Sequence, residues 1–292
     1  MNSITLNADL AAVSRLVVEG AMLVYTFAFL SFAFHLSQLA STKKSVRAGA
    51  SRLEKVGIAL LIFAAAIHGV GMTLRGISAS RVPWANMYEF SITGSFIVVF
   101  IFLLALTIKD IRLIATFVTG FTLLVLGVAD TIFYVEVKSL MPALQSYWLV
   151  IHVVVAILAS SFFAIAAGLH IAYLLRASNF AKRLMELFPA LETLERLAYR
   201  FNVVGFVLWT FTLIAGAIWA ERAWHRYWGW DTKEVWTFII WTLYAGYLHA
   251  MATRGWNGKR AAWLGLVAFL AIIFNFTIVN QFFKGLHVYS GL

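Results

Sequence analysis

Cysteine is absent from the 292 residues, which excludes structural disulfides, thiolate metal sites and thiol redox chemistry performed by the chain itself. Any thiol must come from a partner. Charge is also scarce: 23 Lys and Arg and 13 Asp and Glu make up 12% of the chain, about half the share of a soluble domain. That shortage excludes an ordinary soluble enzyme. The acidic deficit leaves a net charge of +10. In a membrane protein such an excess of Lys and Arg records orientation, not a nucleic-acid partner. No internal repeat, low-complexity tract or soluble domain is evident, and the first long apolar stretch is too long for a secretory signal and lacks a small-residue cleavage site.

What is present is hydrophobic, at 62% of residues. With about 20 apolar residues per span, that content fills roughly eight transmembrane helices and leaves short connections. The apolar runs are Val17 to Leu39, Val56 to Leu74, Tyr88 to Ile108, Ile111 to Ala129, Trp148 to Leu175, Val203 to Ala220, Val235 to Ala252 and Ala261 to Phe283. The expected fold is therefore all-α, one polytopic membrane domain spanning residues 1–292. Lys43, Lys44, Arg47, Arg52, Lys55, Lys109, Arg112, Arg176, Lys182, Arg183, Arg196, Arg200, Arg254, Lys259 and Arg260 all fall on one side of this arrangement. The positive-inside rule makes that side cytoplasmic, so both termini face outward, to the periplasm. Residues 179–200 carry Leu184, Leu187, Leu191, Leu194 and Leu197 at helical spacing among charges, the pattern of an amphipathic helix on the cytoplasmic face.

Between the sixth and seventh runs, residues 218–236 hold Trp219, Trp224, Trp228, Trp230, Trp236 and Tyr227. An interfacial aromatic belt explains some of these rings. Trp224 and Trp228, four apart, share a face if the segment is helical, with Tyr227 beside them. Such a face is a stacking platform for a flat apolar ligand, and Arg222, Arg226 and Lys233 add cations for carboxylates on its edge. A porphyrin with two propionates has both properties. Asp231 and Glu234 have the Asp-x-x-Glu form of a capping box opening the seventh helix, which would fix the platform's angle.

Intramembrane His residues are functional candidates. His152, one turn into the fifth helix, and His287, after the eighth, both lie near the outer surface. They are either a pair of iron ligands or interfacial groups bonded to water and headgroups. His249 lies about 21 Å from the outer end of the seventh helix at 1.5 Å per residue. It is either a haem ligand or a His hydrogen-bonded between helices. His68 lies about 18 Å into the second helix from inside, nearer the outer side. His35 and His170 fall at inner helix ends, where snorkelling is expected. Glu89, at the start of the third helix, suits the helix dipole.

Trp219-Ala-Glu-Arg-Ala-Trp224 followed by Tyr227-Trp228-Gly-Trp230-Asp231-Thr-Lys233-Glu234-Val-Trp236 resembles the WWD signature of haem-handling proteins. The Trp-Asp-x-Lys-Glu-x-Trp ending is similar to cytochrome c biogenesis proteins of the CcsA (ResC-like) type, of the system II pathway. The resemblance extends through Arg81-Val-Pro83-Trp-Ala-Asn86-Met-Tyr88-Glu89, Ser146-Tyr-Trp148-Leu-Val-Ile-His152-Val, Tyr247-Leu-His249-Ala and Lys284-Gly-Leu-His287. Two positions depart from the pattern: His225 stands where a small residue is frequent, and Val288 where a small polar residue is common. His225 leaves open an additional iron or propionate contact.

The resemblance implies export of haem b, its presentation at the outer face of the bacterial inner membrane, and covalent attachment to apocytochrome c, the activity of a holocytochrome c synthase or haem lyase. It places His152 and His287 as axial ligands, groups Asp231 with them at the catalytic site, and makes His249 an intramembrane haem ligand whose opposite ligand belongs to a partner subunit. The implied partners are a separate CcsB- or ResB-type membrane subunit, apocytochrome c with its Cys-x-x-Cys-His segment, and an outer thiol-reducing pathway. Two other classes remain open. A b-type electron-transfer protein should pair His residues at matching depths, and a transporter of another flat solute would not need His152 and His287 for iron.

Overall fold

Polar side chains set where three of the helices begin. Ser51 accepts from the Glu54 N–H, Asn86 from Glu89 N–H and Ser146 from Trp148 N–H, each satisfying an amide that the first helical turn leaves orphaned. In the computed structural model, residues 7–41, 51–140, 144–178, 188–253, 256–283 and 285–286 are described. Among them run eight long helices: α1 (Ala8–Ser41), α2 (Arg52–Ser78), α3 (Met87–Ile108), α4 (Ala115–Thr131), α5 (Tyr147–Ala177), α6 (Leu191–Trp224), α7 (Thr232–Ala252) and α8 (Lys259–Phe282). A short 3₁₀ turn, Arg112–Ile114, precedes α4, and a π-turn, Asn275–Val279, interrupts α8.

Seven of these helices, 20 to 34 residues long when α4 is taken with the 3₁₀ turn before it, are long and apolar enough to cross a membrane. The exception is α7. At 21 residues it reaches about 31 Å, enough for a bilayer core, but Trp236, Thr237, Trp241, Thr242, Tyr244, Tyr247 and His249 dilute its apolarity. Against the expectation of about eight transmembrane helices, seven of the described helices meet the length and apolarity of a span. Helix α6 starts twelve residues before its expected beginning. The described part of the amphipathic stretch, Leu191 onward, forms its first turns, with Leu194 and Leu197 buried; residues 179–187 of that stretch lie outside the described residues.

Helices α1 and α2 pack along each other, as do α5 and α6, while α3 bridges α2, α4 and α5, and α8 touches α5 and α7. The core holds Tyr25, Leu61, Ile92, Phe102, Phe163 and Tyr244. Phe163 stacks on Tyr244 at 3.6 Å between ring centres. It also lies so close to α6 that a Cβ on Gly205 would come within 2.6 Å of its ring, so only glycine permits this approach of α5 to α6. Several buried hydroxyls fold back onto their own helices, as Ser161 Oγ does onto the Ile157 carbonyl at 2.8 Å, satisfying groups that lipid cannot. Large apolar side chains such as Leu16, Phe63, Phe100, Leu124, Val207 and Leu270 face outward, as a lipid-facing surface requires.

Candidate functional site

Helix α6 ends at Trp224 because His225 takes a left-handed conformation (φ 56°) and its N–H bonds the Glu221 carbonyl at 2.8 Å, an αL termination of the kind usually served by glycine. This corrects the expectation of a shared helical face. Trp224 points back to Trp219, 4.8 Å away and steeply tilted, over Trp148, Leu144 and Leu149. Trp228, beyond the helix end, sits perpendicular to Trp230 and meets Phe238 edge-on. Trp236 packs on Phe274 at 4.5 Å. The tryptophans therefore form separate groups: Trp219 is 1% exposed and Trp230 77%.

Asp231 and Glu234 form the expected capping box. Glu234 accepts from the N–H groups of Gly229 (2.7 Å) and Asp231 (3.1 Å), while Asp231 Oδ1 accepts from Lys233 N–H (2.8 Å). Asp231 Oδ2 also accepts from the Leu286 N–H at 2.7 Å, so the carboxylate that caps α7 holds the segment beyond α8. His287 itself lies outside the described residues. The Arg226 guanidinium crosses the space beside Gly229 and faces Glu234 at 3.7 Å. Arg222 is exposed beside Glu221.

Beneath this loop lies a cavity of about 570 Å³, within the range of small-molecule and cofactor sites. Its walls come from Trp84, Asn86 and Phe90 before and in α3, His152 of α5, Trp209, Gly216 and Trp219 of α6, Tyr227 and Trp228 of the loop, Lys233 of α7, and Asn275 and Asn280 of α8. His152 Nδ1 donates to the Thr212 carbonyl at 2.9 Å, and its ring lies within 19° of parallel to Trp219. A proton on Nδ1 leaves the lone pair on Nε2, the tautomer of a metal-ligating imidazole whose other nitrogen is fixed by a carbonyl. The ring fits because residue 216 has no Cβ.

Of the residues singled out in the sequence, His152, Trp219, Tyr227, Trp228, Lys233 and Glu234 come together in this cavity. Trp224, Trp230, Trp236, Arg222, Arg226, Asp231 and His249 are not in its walls. Sequence reasoning did not place Trp209, Asn275 or Asn280 at the site. Trp209 reads as one more ring in an apolar helix, and the two Asn are brought together by the π-turn.

Residues 84–287 match the family described as Cytochrome C assembly protein. The chain belongs to the cytochrome c assembly family. It is 34% identical to a "Cytochrome c biogenesis protein CcsA" of Prochlorococcus marinus, across 79% of this chain and 83% of that protein. The protein of the same name from Guillardia theta is 32% identical, across 81% and 86%. That from Porphyra purpurea is 28% identical, across 83% and 89%. This CcsA-type membership and the apolar helices make the chain an integral membrane protein with a role in cytochrome c biogenesis.

The family segment opens at Trp84, a wall of the cavity, and closes at His287. Across its start lies a buried ion cluster. Glu89, fully buried, binds Arg75 Nε at 3.1 Å and both Nη groups of Arg81, and accepts from the Ala85 N–H at 2.9 Å. Arg75 also donates to the Val135 carbonyl and lies over the Tyr88 ring. Glu89 is therefore not a simple dipole anion: it clamps the Trp84–Asn86 wall to the end of α2.

The remaining histidines separate by environment. His249 lies exposed on the outer face of α7 with Thr242 and Gly246, not between helices. His68 is fully buried, with Tyr25 Oη 3.3 Å from Nδ1 and Phe96 edge-on, and does not line the cavity. His170 is held by Asn202 at 3.0 Å and packs edge-on against Tyr247. His35 meets Ser51 and Glu54, so both His35 and His170 are tied to neighbouring helices and do not snorkel.

Proposed function

We propose that this protein presents haem b at the outer, periplasmic face of the inner membrane and, with a CcsB- or ResB-type subunit, attaches it covalently to apocytochrome c. The observation that carries this reading is His152, fixed through Nδ1 to Thr212 in the wall of an aromatic cavity. A flat macrocycle fits a cavity walled by Trp84, Trp209, Trp219 and Trp228, because ring faces reward offset and edge stacking. In this reading His152 and His287 are the axial ligands. Asp231 sets the relation between them by holding both the start of α7 and Leu286.

Membrane orientation follows the charges. Arg52, Lys55, Lys109, Arg112, Arg176, Lys259 and Arg260 all belong to the ends of helices opposite the cavity. By the positive-inside rule the cavity and both termini then lie outside.

The chain contributes no thiol, so its part is to bind and orient. The two thiols of the substrate's Cys-x-x-Cys-His segment each add S–H across one haem vinyl group: sulfur bonds to one vinyl carbon and hydrogen to the other, with no net oxidant. The thiols arrive reduced from an outer thiol-reducing pathway, and the substrate His takes over one axial position. His249, facing outward from α7, is available to meet a ligand from the partner subunit as haem moves through the membrane.

The test is the absorption spectrum of the purified complex, wild type against His152→Ala, His287→Ala and the double variant. A six-coordinate spectrum that becomes imidazole-dependent in the double variant is expected. An unchanged spectrum in the double variant would overturn the outer ligand pair, and a colourless wild type under adequate haem supply would overturn the haem reading.

A further inference from the structure

Among the described residues, one cation in the cavity wall lacks a counter-ion. Lys233 Nζ donates to the Asn275 carbonyl at 3.0 Å and to Asn280 Oδ1 at 2.6 Å, both neutral acceptors. Among the described residues no carboxylate reaches ion-pair distance of it. The neighbouring acids are engaged elsewhere. Asp231 holds the N–H groups of Lys233 and Leu286, and Glu234, itself in the cavity wall, takes those of Gly229 and Asp231 on Oε2 and turns Oε1 toward Arg226. A cation withdrawn from water without an anion is costly, and one of the three ammonium hydrogens remains unused.

The π-turn completes the corner. A π-turn closes i to i+5, so Asn275 and Asn280, which would diverge on an α-helix, face the same lysine. Asn275 is 5% exposed, lines the cavity, and its Oδ1 has no hydrogen-bond partner. No described residue bonds this side-chain amide, which can turn its NH₂ toward an acceptor. Arg222 and Arg226, the other cations of the segment, do not line the cavity.

We propose that Lys233, Asn275 and Asn280 form an anion subsite inside the cavity that takes a carboxylate of the bound molecule. On the haem reading above, on which this inference rests, that carboxylate is a propionate. The vinyl groups sit on the rings away from the propionates, so anchoring the carboxylate edge in this corner turns the vinyl edge toward the arriving thiols. The subsite thus sets the orientation of the macrocycle as well as its affinity.

The experiment titrates the purified complex with ferric haem b and with its dimethyl ester, which has the same ring and iron but no carboxylate. Wild type should bind haem about tenfold or more tighter than the ester, as loss of one charge-assisted hydrogen bond implies. Lys233→Met should bind both ligands as wild type binds the ester, keeping the His152-dependent spectrum. The wild-type comparison needs no variant and survives poor expression of Lys233→Met. Equal wild-type affinity for the two ligands, with the His152-dependent spectrum intact, overturns the subsite alone; it is also the result if a lipid phosphate or buffer anion neutralises Lys233. A wild type that binds neither ligand overturns the haem reading and the subsite with it.

Discussion

A single methyl group at residue 216 separates the role of His152 from the stability of the helix that supports it. In Gly216→Ala the new Cβ would stand 2.8 Å from both Cε1 and Nδ1 of His152. Ordinary contact requires about 3.5 Å, so the ring must retreat by about 0.7 Å. That retreat stretches the 2.9 Å bond from Nδ1 to the Thr212 carbonyl toward about 3.6 Å, beyond hydrogen-bond range. Loss of such an outer-shell partner costs roughly ten- to a hundredfold in metal affinity. The fold responds differently. Alanine is better than glycine inside a helix by about 1 kcal/mol, which offsets a lost hydrogen bond of about 1 kcal/mol. The melting temperature should therefore stay within about 3 °C of wild type. A haem titration followed by Soret absorption, run beside a thermal melt of the same sample, measures both. Wild-type haem affinity in Gly216→Ala, or a loss of affinity that merely tracks a large drop in melting temperature, would refute the reasoning.

Other positions give independent tests. Glu89→Gln leaves Arg75, fully buried, without its anion; breaking such a pair costs about 3–5 kcal/mol, so a thermal melt should fall by roughly 10 °C, and an unchanged midpoint would show the cluster to be dispensable. His225→Gly should raise stability by about 1 kcal/mol, since residue 225 is left-handed and a side chain there is strained. It should leave cytochrome c yield unchanged, whereas a fall in yield would make the imidazole a ligand. Asp231→Ala removes a helix cap, a loss of about 1 kcal/mol, and should also weaken protection of the Leu286 amide in hydrogen exchange; retained protection there would contradict the bond to Leu286.

The helices were legible because membrane burial writes itself as long apolar runs, and Asp231 with Glu234 announced the cap of α7 through spacing alone. Position 225 was legible in a different sense: the small residue expected there is what a left-handed helix end favours, and His225 occupies that conformation at a cost. The shared face of Trp224 and Trp228 failed for the same reason, since no local pattern in an aromatic, charged stretch says which residue will stop the helix. Trp209, Asn275 and Asn280 reach the cavity through helix packing and a π-turn, which depend on contacts between segments 28 to 47 residues apart. Glu89 looked like a first-turn anion because its partners Arg75 and Arg81 lie on the preceding helix and loop.

The two oxygens of Asp231 serve different masters: one receives the first turn of α7, the other the amide of Leu286. Breaking the bond to the Leu286 amide costs net about 1 kcal/mol and leaves the bond from Asp231 to the first turn of α7 in place. One side chain is thus both the cap of a helix and a tie to a residue fifty-five positions later, so a change at residue 231 is felt at two distant points of the chain at once.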